Sequence, residues 1–205
     1  MTLASLQASV VLLSNINQTL PLSPSFTNVL IVGPNANVTK VYLGGTYSAF
    51  PTAPIPSFLS SFINLSRGKH DVTFMEGCNT TACATKDQFA AVAKAAAGAD
   101  AIVFVGGIDG NIIEHEGTDR GDPNTNWTTS KFSCETASRD PLGLPGCQGD
   151  LLELVAQAGK PVIQVVVAGG PVTPSSVAHA TLYAGYSGQV RFYRLPVDLL
   201  LKLLL

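Results

Sequence analysis

The chain has 205 residues, 46% of them hydrophobic and only 13% charged, with a formal net charge of −2. That excludes a disordered chain, which needs low hydrophobicity and high charge, and argues against electrostatic binding of nucleic acid or an anionic membrane. The length suits one domain, and no apolar run approaches the roughly 18–20 residues that span a bilayer.

Ser, Thr, Asn and Gln keep the surface polar, where a typical domain carries about 25% charged residues. Five Asn-X-Ser/Thr sequons, at Asn17, Asn37, Asn64, Asn79 and Asn126, point to a secreted, extracellular glycoprotein. Four cysteines fall in two local pairs, Cys78/Cys83 and Cys134/Cys147. Two short-loop disulfides are expected, with all three pairings open on spacing alone. Zinc is not expected, because no pair is spaced Cys-X-X-Cys and His70, His115 and His179 are scattered.

In chain order, residues 3–13 read as an amphipathic helix rather than a secretory leader, since the first basic residue is Lys40. The chain is therefore expected to begin inside a larger protein. Apolar runs rich in Val and Ile follow at residues 28–32, 71–75, 101–105, 161–167 and 181–184. Continuous rather than alternating apolar character fits strands buried on both faces of a parallel sheet. Helices are expected between them at residues 56–63, 87–98 and 148–159, with Pro56 in a first turn and Gly98 and Gly159 at C-terminal ends. The alternation predicts a layered α/β domain. His70 and Asp71 are expected at the surface.

Residues 106–145 carry almost no regular apolar pattern. A loop of that length is unusual in a compact domain and is often functional. It follows a buried strand, at the sheet edge where open α/β folds bind ligands. Asp109, Glu114, Glu116 and Asp119 crowd into it, with Arg120 placed to orient a carboxylate. Carboxylates in a partly closed cleft serve as general acids. Glu114 and Glu116 alone do not make a glycosidase pair, because such a pair must flank the sugar from opposite sides. No nucleotide-binding glycine fingerprint, phosphate loop or Gly-X-Ser-X-Gly nucleophile elbow is present.

The order of the motifs is more specific than any one of them. Val32-Gly33-Pro34-Asn35-Ala36-Asn37, Gly44-Gly45-Thr46-Tyr47, Gly77-Cys78 with Cys83, and Gly107-Ile108-Asp109 through Glu114-X-Glu116-Gly117-X-Asp119-Arg120 come first. Leu144-Pro145-Gly146-X-Gln148, Lys160-Pro161-Val162, Gly169-Gly170-Pro171-Val172 and Ala184-Gly185-Tyr186-X-Gly188-Gln189 follow. Over about residues 5–190 the chain resembles the C-terminal α/β-sandwich domain of glycoside hydrolase family 3, closest to its β-xylosidase branch.

The resemblance implies a three-layer α/β sandwich with a mostly parallel sheet. A linker or helix would occupy residues 1–24, the domain 25–190, and an atypical tail 191–205. It implies a retaining, exo-acting glycosidase that removes terminal β-linked xylose or glucose from plant cell-wall oligosaccharides without a cofactor. Glu116 would be the acid/base, with Asp109, Glu114, Asp119 and Arg120 shaping the loop or touching substrate. The nucleophilic Asp would sit on an N-terminal barrel domain absent from this chain. The alternative is a stand-alone, non-catalytic domain that binds sugar or protein. Two departures stand out: residues 121–143 read as an insertion, and after Gln189 the family's Gly/Ala-rich helix gives way to Val190-Arg191-Phe192-Tyr193, so that the domain reads as truncated at its C-terminus.

Overall fold

A computed structural model of the chain describes residues 10–39, 56–66, 68–108 and 142–185. Six strands form one sheet: β1 (Val11–Asn15), β2 (Asn28–Val32), β3 (Asp71–Met75), β4 (Ala101–Gly107), β5 (Val162–Val167) and β6 (Ala180–Tyr183). Their spatial order is β1-β6-β5-β4-β2-β3. All neighbouring pairs are parallel except β1 with β6. Three helices connect them: α1 (Phe58–Ser66), α2 (Phe89–Ala97) and α3 (Gln148–Ala156).

The period-2 geometry of a strand sends alternate side chains to opposite faces. Val29, Ile31, Val103, Val105, Ile163 and Val165 meet Phe58 and Phe62 of α1 on one face. Leu30, Val32, Ile102, Phe104 and Val162 meet Val92 of α2 and Leu151, Leu152 and Val155 of α3 on the other. With a helical layer on each face, every residue of β4 and β5 is buried. This is the expected three-layer α/β sandwich with its mostly parallel sheet.

Helix α1 starts two residues later than its apolar pattern suggests, because Ser57 is the cap. Its Oγ accepts the Ser60 N–H at 3.1 Å, satisfying one of the amides that a helix start leaves free. Helix α2 ends at Gly98, whose N–H bonds back to the Ala95 and Ala96 carbonyls.

Two expectations are corrected. The entry segment is not all linker or helix: Val11–Asn15 is strand β1, pairing antiparallel with β6 through Val11 opposite Tyr183 and Leu12 opposite Leu182. The unpaired backbone edge of β6 outweighs the local helical pattern, as tertiary context commonly does. Leu20 and Leu22 in the same stretch are core residues. His70 is not a surface residue either. It is 7% exposed, its Nδ1–H donates to the Phe26 carbonyl at 2.7 Å, and its ring tilts against Phe62. Asp71 is exposed, as its charge requires.

Candidate functional site

Strand order places a topological switch point between β2 and β4. The chain leaves β2 toward β3 on one side and leaves β4 toward β5 on the other. The connections diverge beyond the carboxyl ends of those strands and open the crevice where α/β folds hold ligands.

One wall of the crevice is the turn after β2. The Gly33 N–H donates to the Met75 and Glu76 carbonyls, and the Asn35 N–H donates to the Val105 carbonyl at 3.1 Å. Asn35 is fully buried at this point. The Leu59 N–H then bonds the Ala36 carbonyl, fastening the turn to the start of α1.

The other wall is rooted at the end of β4. Gly107 has φ +135, and a Cβ there would fall on the Val167 carbonyl oxygen of β5, so only glycine fits. Both polar groups of Gly107 are held by one side chain. Gln148 Oε1 accepts the Gly107 N–H at 2.9 Å, and Gln148 Nε2 donates to the Gly107 carbonyl at 2.9 Å. The same Nε2 donates to the Thr81 carbonyl at 2.5 Å. Gln148 is fully buried and ties three segments together: β4, the turn around Thr81, and α3. The Ile108 N–H continues the ladder to the Val167 carbonyl, and Ile108 packs with Val166, Ala168 and Val172.

The far end of the same loop is anchored as well. The Thr173 N–H donates to the Leu142 carbonyl at 2.8 Å, and the Cys147 N–H donates to the Cys83 carbonyl at 2.9 Å. Asp109, Glu114, Glu116, Asp119 and Arg120 lie between these anchors and outside the described residues, as do Cys134 and Asn126. The turn after β5 forms a third side, with the Tyr183 hydroxyl donating to the Gly170 carbonyl.

The disulfide Cys78–Cys83 is formed, with its α-carbons 4.9 Å apart. Among the described residues Cys147 has no disulfide partner and carries a free thiol; its expected pairing with Cys134 lies outside them. Asn17, Asn37, Asn64 and Asn79 are all exposed, as a glycosylated asparagine must be. The Asn37 Oδ1 accepts the Ser57 hydroxyl at 3.1 Å, and the Asn79 Oδ1 accepts the Gln88 amide at 2.5 Å.

Among the described residues, the charged groups with a shifted pKa lie at the surface. Lys86 pairs with Asp150 at 2.5 Å across an exposed surface, and that hydrogen bond holds the ammonium above its ordinary pKa. Asp100 lies at the opposite edge of the sheet, where the Asn28 and Thr27 amides donate to its carboxylate at 2.8 Å each. Those two bonds lower its pKa. A hollow of about 360 Å³ beside α2, lined by Asn28, Thr73, Lys94 and Gly98, also sits at the strand starts, away from the crevice. Among the described residues no cluster of His, Cys, Asp and Glu is placed to hold a metal, and no helix is long and apolar enough to cross a membrane.

Sequence reasoning gave Gln148 no role of its own. The available signal was a glutamine opening a helix right after a Leu-Pro-Gly turn, a position where a long amide can reach back to a strand end.

Comparison with known proteins is consistent across sequence and structure. Residues 10–195 match the Glycosyl hydrolase family 3 C-terminal domain. The chain is 35% identical over 185 residues to the exo-1,4-beta-xylosidase xlnD of Emericella nidulans, covering 88% of this chain and 20% of that protein. It is 33% identical over 196 residues to Beta-D-xylosidase 1 of Arabidopsis thaliana, covering 92% of this chain and 22% of that protein. A solved structure of a GH3 exo-beta-xylosidase (XlnD), in complex with a xylobiose aziridine activity based probe, superposes with a TM-score of 0.74 at 29% identity. That match covers 97% of this chain and 22% of the other. A beta-glucosidase from Listeria innocua in complex with glucose shares the fold, with a TM-score of 0.69 at 21% identity, over 98% of this chain and 24% of its own. The chain thus spans about a fifth of the length of the curated relatives it matches.

Proposed function

Because the chain belongs to glycosyl hydrolase family 3, as its C-terminal domain, we propose that it supplies the acid/base of a retaining, exo-acting β-glycosidase of the β-xylosidase type. In this reading the nucleophilic carboxylate comes from a separate barrel domain. The substrate is an oligosaccharide ending in a β-linked xylose or glucose, and the protein is extracellular.

The observation that supports the reading is where the described chain ends before the acidic stretch. The chain leaves the sheet at Ile108, directly at the β2/β4 switch point, from a strand end fastened by Gln148 on one side and by β5 on the other. A group that must donate a proton at a defined point needs such a root, because small misplacements of reacting groups cost large factors in rate.

Glu116 acts twice in this scheme. It first protonates the departing glycosidic oxygen while the nucleophile attacks the anomeric carbon. As the carboxylate, it then removes a proton from the water that releases the sugar from the enzyme. Asp109, Glu114, Asp119 and Arg120 shape the loop or contact the sugar. Two carboxylates on opposite sides of one bond are required, so a single domain that brings only one is inactive alone.

The test is hydrolysis of an aryl β-xyloside by the 205-residue chain and by its Glu116→Gln variant. Neither is expected to turn over. Wild-type turnover lost in the variant would place a nucleophile within these residues and overturn the two-domain division. The positive arm grafts residues 10–195 in place of the matching part of the Emericella nidulans relative. There Glu116→Ala is expected to slow a substrate with a poor leaving group by roughly 10²–10⁴-fold, and added azide to restore turnover of an activated aryl xyloside. An unaffected variant rejects Glu116 as the acid/base.

A further inference from the structure

Three of the four cysteines gather at one place in the fold. The disulfide Cys78–Cys83 closes a tight turn after β3, and Cys147 stands at the N-terminal cap of α3 with a free, half-buried thiol. The turn and the helix start are in backbone contact. The Cys147 N–H donates to the Cys83 carbonyl at 2.9 Å, which sets the two residues side by side, as a disulfide between them requires. Gly146 has φ +52 and lies so close that a Cβ there would overlap the Ala82 carbonyl oxygen. All three cysteines pack against the same hydrophobic cluster as Leu151 and Phe104. The Lys86 ammonium, three residues past Cys83 and paired with Asp150, lies within electrostatic reach of Cys147.

We propose that Cys147 is a resolving thiol for the Cys78–Cys83 bond, so that the domain holds two exchangeable disulfide arrangements, Cys78–Cys83 and Cys83–Cys147. The step is thiol–disulfide exchange and needs no oxidant or reductant. Cys147 gives its proton to water, and its thiolate attacks the sulfur of Cys83. The Sγ–Sγ bond between Cys83 and Cys78 breaks as the new one forms, and Cys78 leaves as a thiolate that takes up a proton. The cross-link moves from within the turn to between the turn and α3. That is the joint where Gln148 holds Thr81 and Gly107, so the exchange acts on the root of the long loop rather than on a remote surface.

Trypsin separates the two arrangements, since Cys78 and Cys83 share the peptide between Lys69 and Lys86 while Cys147 lies on another. The Cys134→Ser chain, purified oxidised, is incubated at mildly alkaline pH without added redox reagent, quenched with N-ethylmaleimide and mapped without reduction. A cross-link between the two peptides, with the maleimide on Cys78, is expected to rise to about a tenth of the disulfide or more. It is expected to be absent when Cys147 is also replaced by Ser. Persistent Cys78–Cys83 with all label on Cys147 overturns the proposal, and so does a Cys78–Cys147 link. In the unsubstituted chain, a sole additional Cys134–Cys147 bond overturns it as well, because Cys147 then has no free thiol to give.

Discussion

Gln148 does the work of a missing strand residue. Its amide meets one N–H and two carbonyls that would otherwise be buried without partners. Gln148→Ala leaves all three unsatisfied and opens a cavity, at a cost of about 2–4 kcal/mol. Urea unfolding measures that loss, and hydrogen exchange at the Gly107 amide localises it. An unchanged urea midpoint would mean that water replaces the side chain and that the clamp is dispensable. Asp100 gives a pH dependence of known sign. Its folded pKa is lowered by the Asn28 and Thr27 amides, so its contribution is fully present above the ordinary carboxylate pKa of about 4. That contribution disappears as pH falls through the lowered folded value. Wild type and Asp100→Asn should therefore differ in thermal midpoint at pH 7 and converge in acid. A gap that stays constant down to pH 2 contradicts this account.

At the scale of elements, β1 and the disulfide turn each cover something specific. β1 shields the outer edge of β6, and its own residues Val11, Leu12 and Leu13 remain 47%, 41% and 48% exposed. A chain starting at Ile16 uncovers the β6 edge, and unpaired edges recruit other strands. Light scattering should show such a truncated chain associating at concentrations where the full chain does not; equal scattering from both would mean that the edge is protected by other means. The Cys78–Cys83 bond closes a short loop, for which the chain-entropy relation gives about 2 kcal/mol. The Cys78→Ser/Cys83→Ser double variant should lower the urea midpoint accordingly, with no change in slope. Helix α3 is the most demanding element to alter. Leu151 is fully buried between the disulfide turn and the sheet, and truncation of such a leucine to Ala costs about 2–5 kcal/mol.

For the whole molecule, two structural features set where the chain leaves the sheet at Ile108. Parallel pairing forces helical crossovers, which bury the sheet on both faces and leave only strand ends for chemistry. The reversal of strand order between β2 and β4 then selects one pair of ends. A single crevice wall cannot carry out double displacement on a sugar. Under the proposed function, the second carboxylate that double displacement requires comes from outside this domain; the chain spans about a fifth of the length of the curated relatives it matches.

Much of this architecture is legible in the chain itself. Runs such as residues 101–105 and 161–167 coincide with β4 and β5 because unbroken apolar stretches rich in Val and Ile suit a doubly covered sheet. The ordered motifs carried the resemblance to the family, and two of their glycines, Gly107 and Gly146, stand where backbones touch and a Cβ does not fit. Other features had no local signature. The residues 3–13 pattern suggests a helix, yet Val11–Asn15 is a strand because β6 presents an open edge from the far end of the chain. His70 looks like a polar surface residue until the Phe26 carbonyl and the Phe62 ring are brought around it. Gln148 finds its partners 67 and 41 residues away. The sequence by itself determined five of the strands and the layered class, because these follow from side-chain periodicity, and its ordered motifs carried the resemblance to the family. The tertiary structure alone decided the edge strand, the buried histidine, the glutamine clamp and the meeting of three cysteines, because each depends on a backbone group or sulfur supplied by a distant segment.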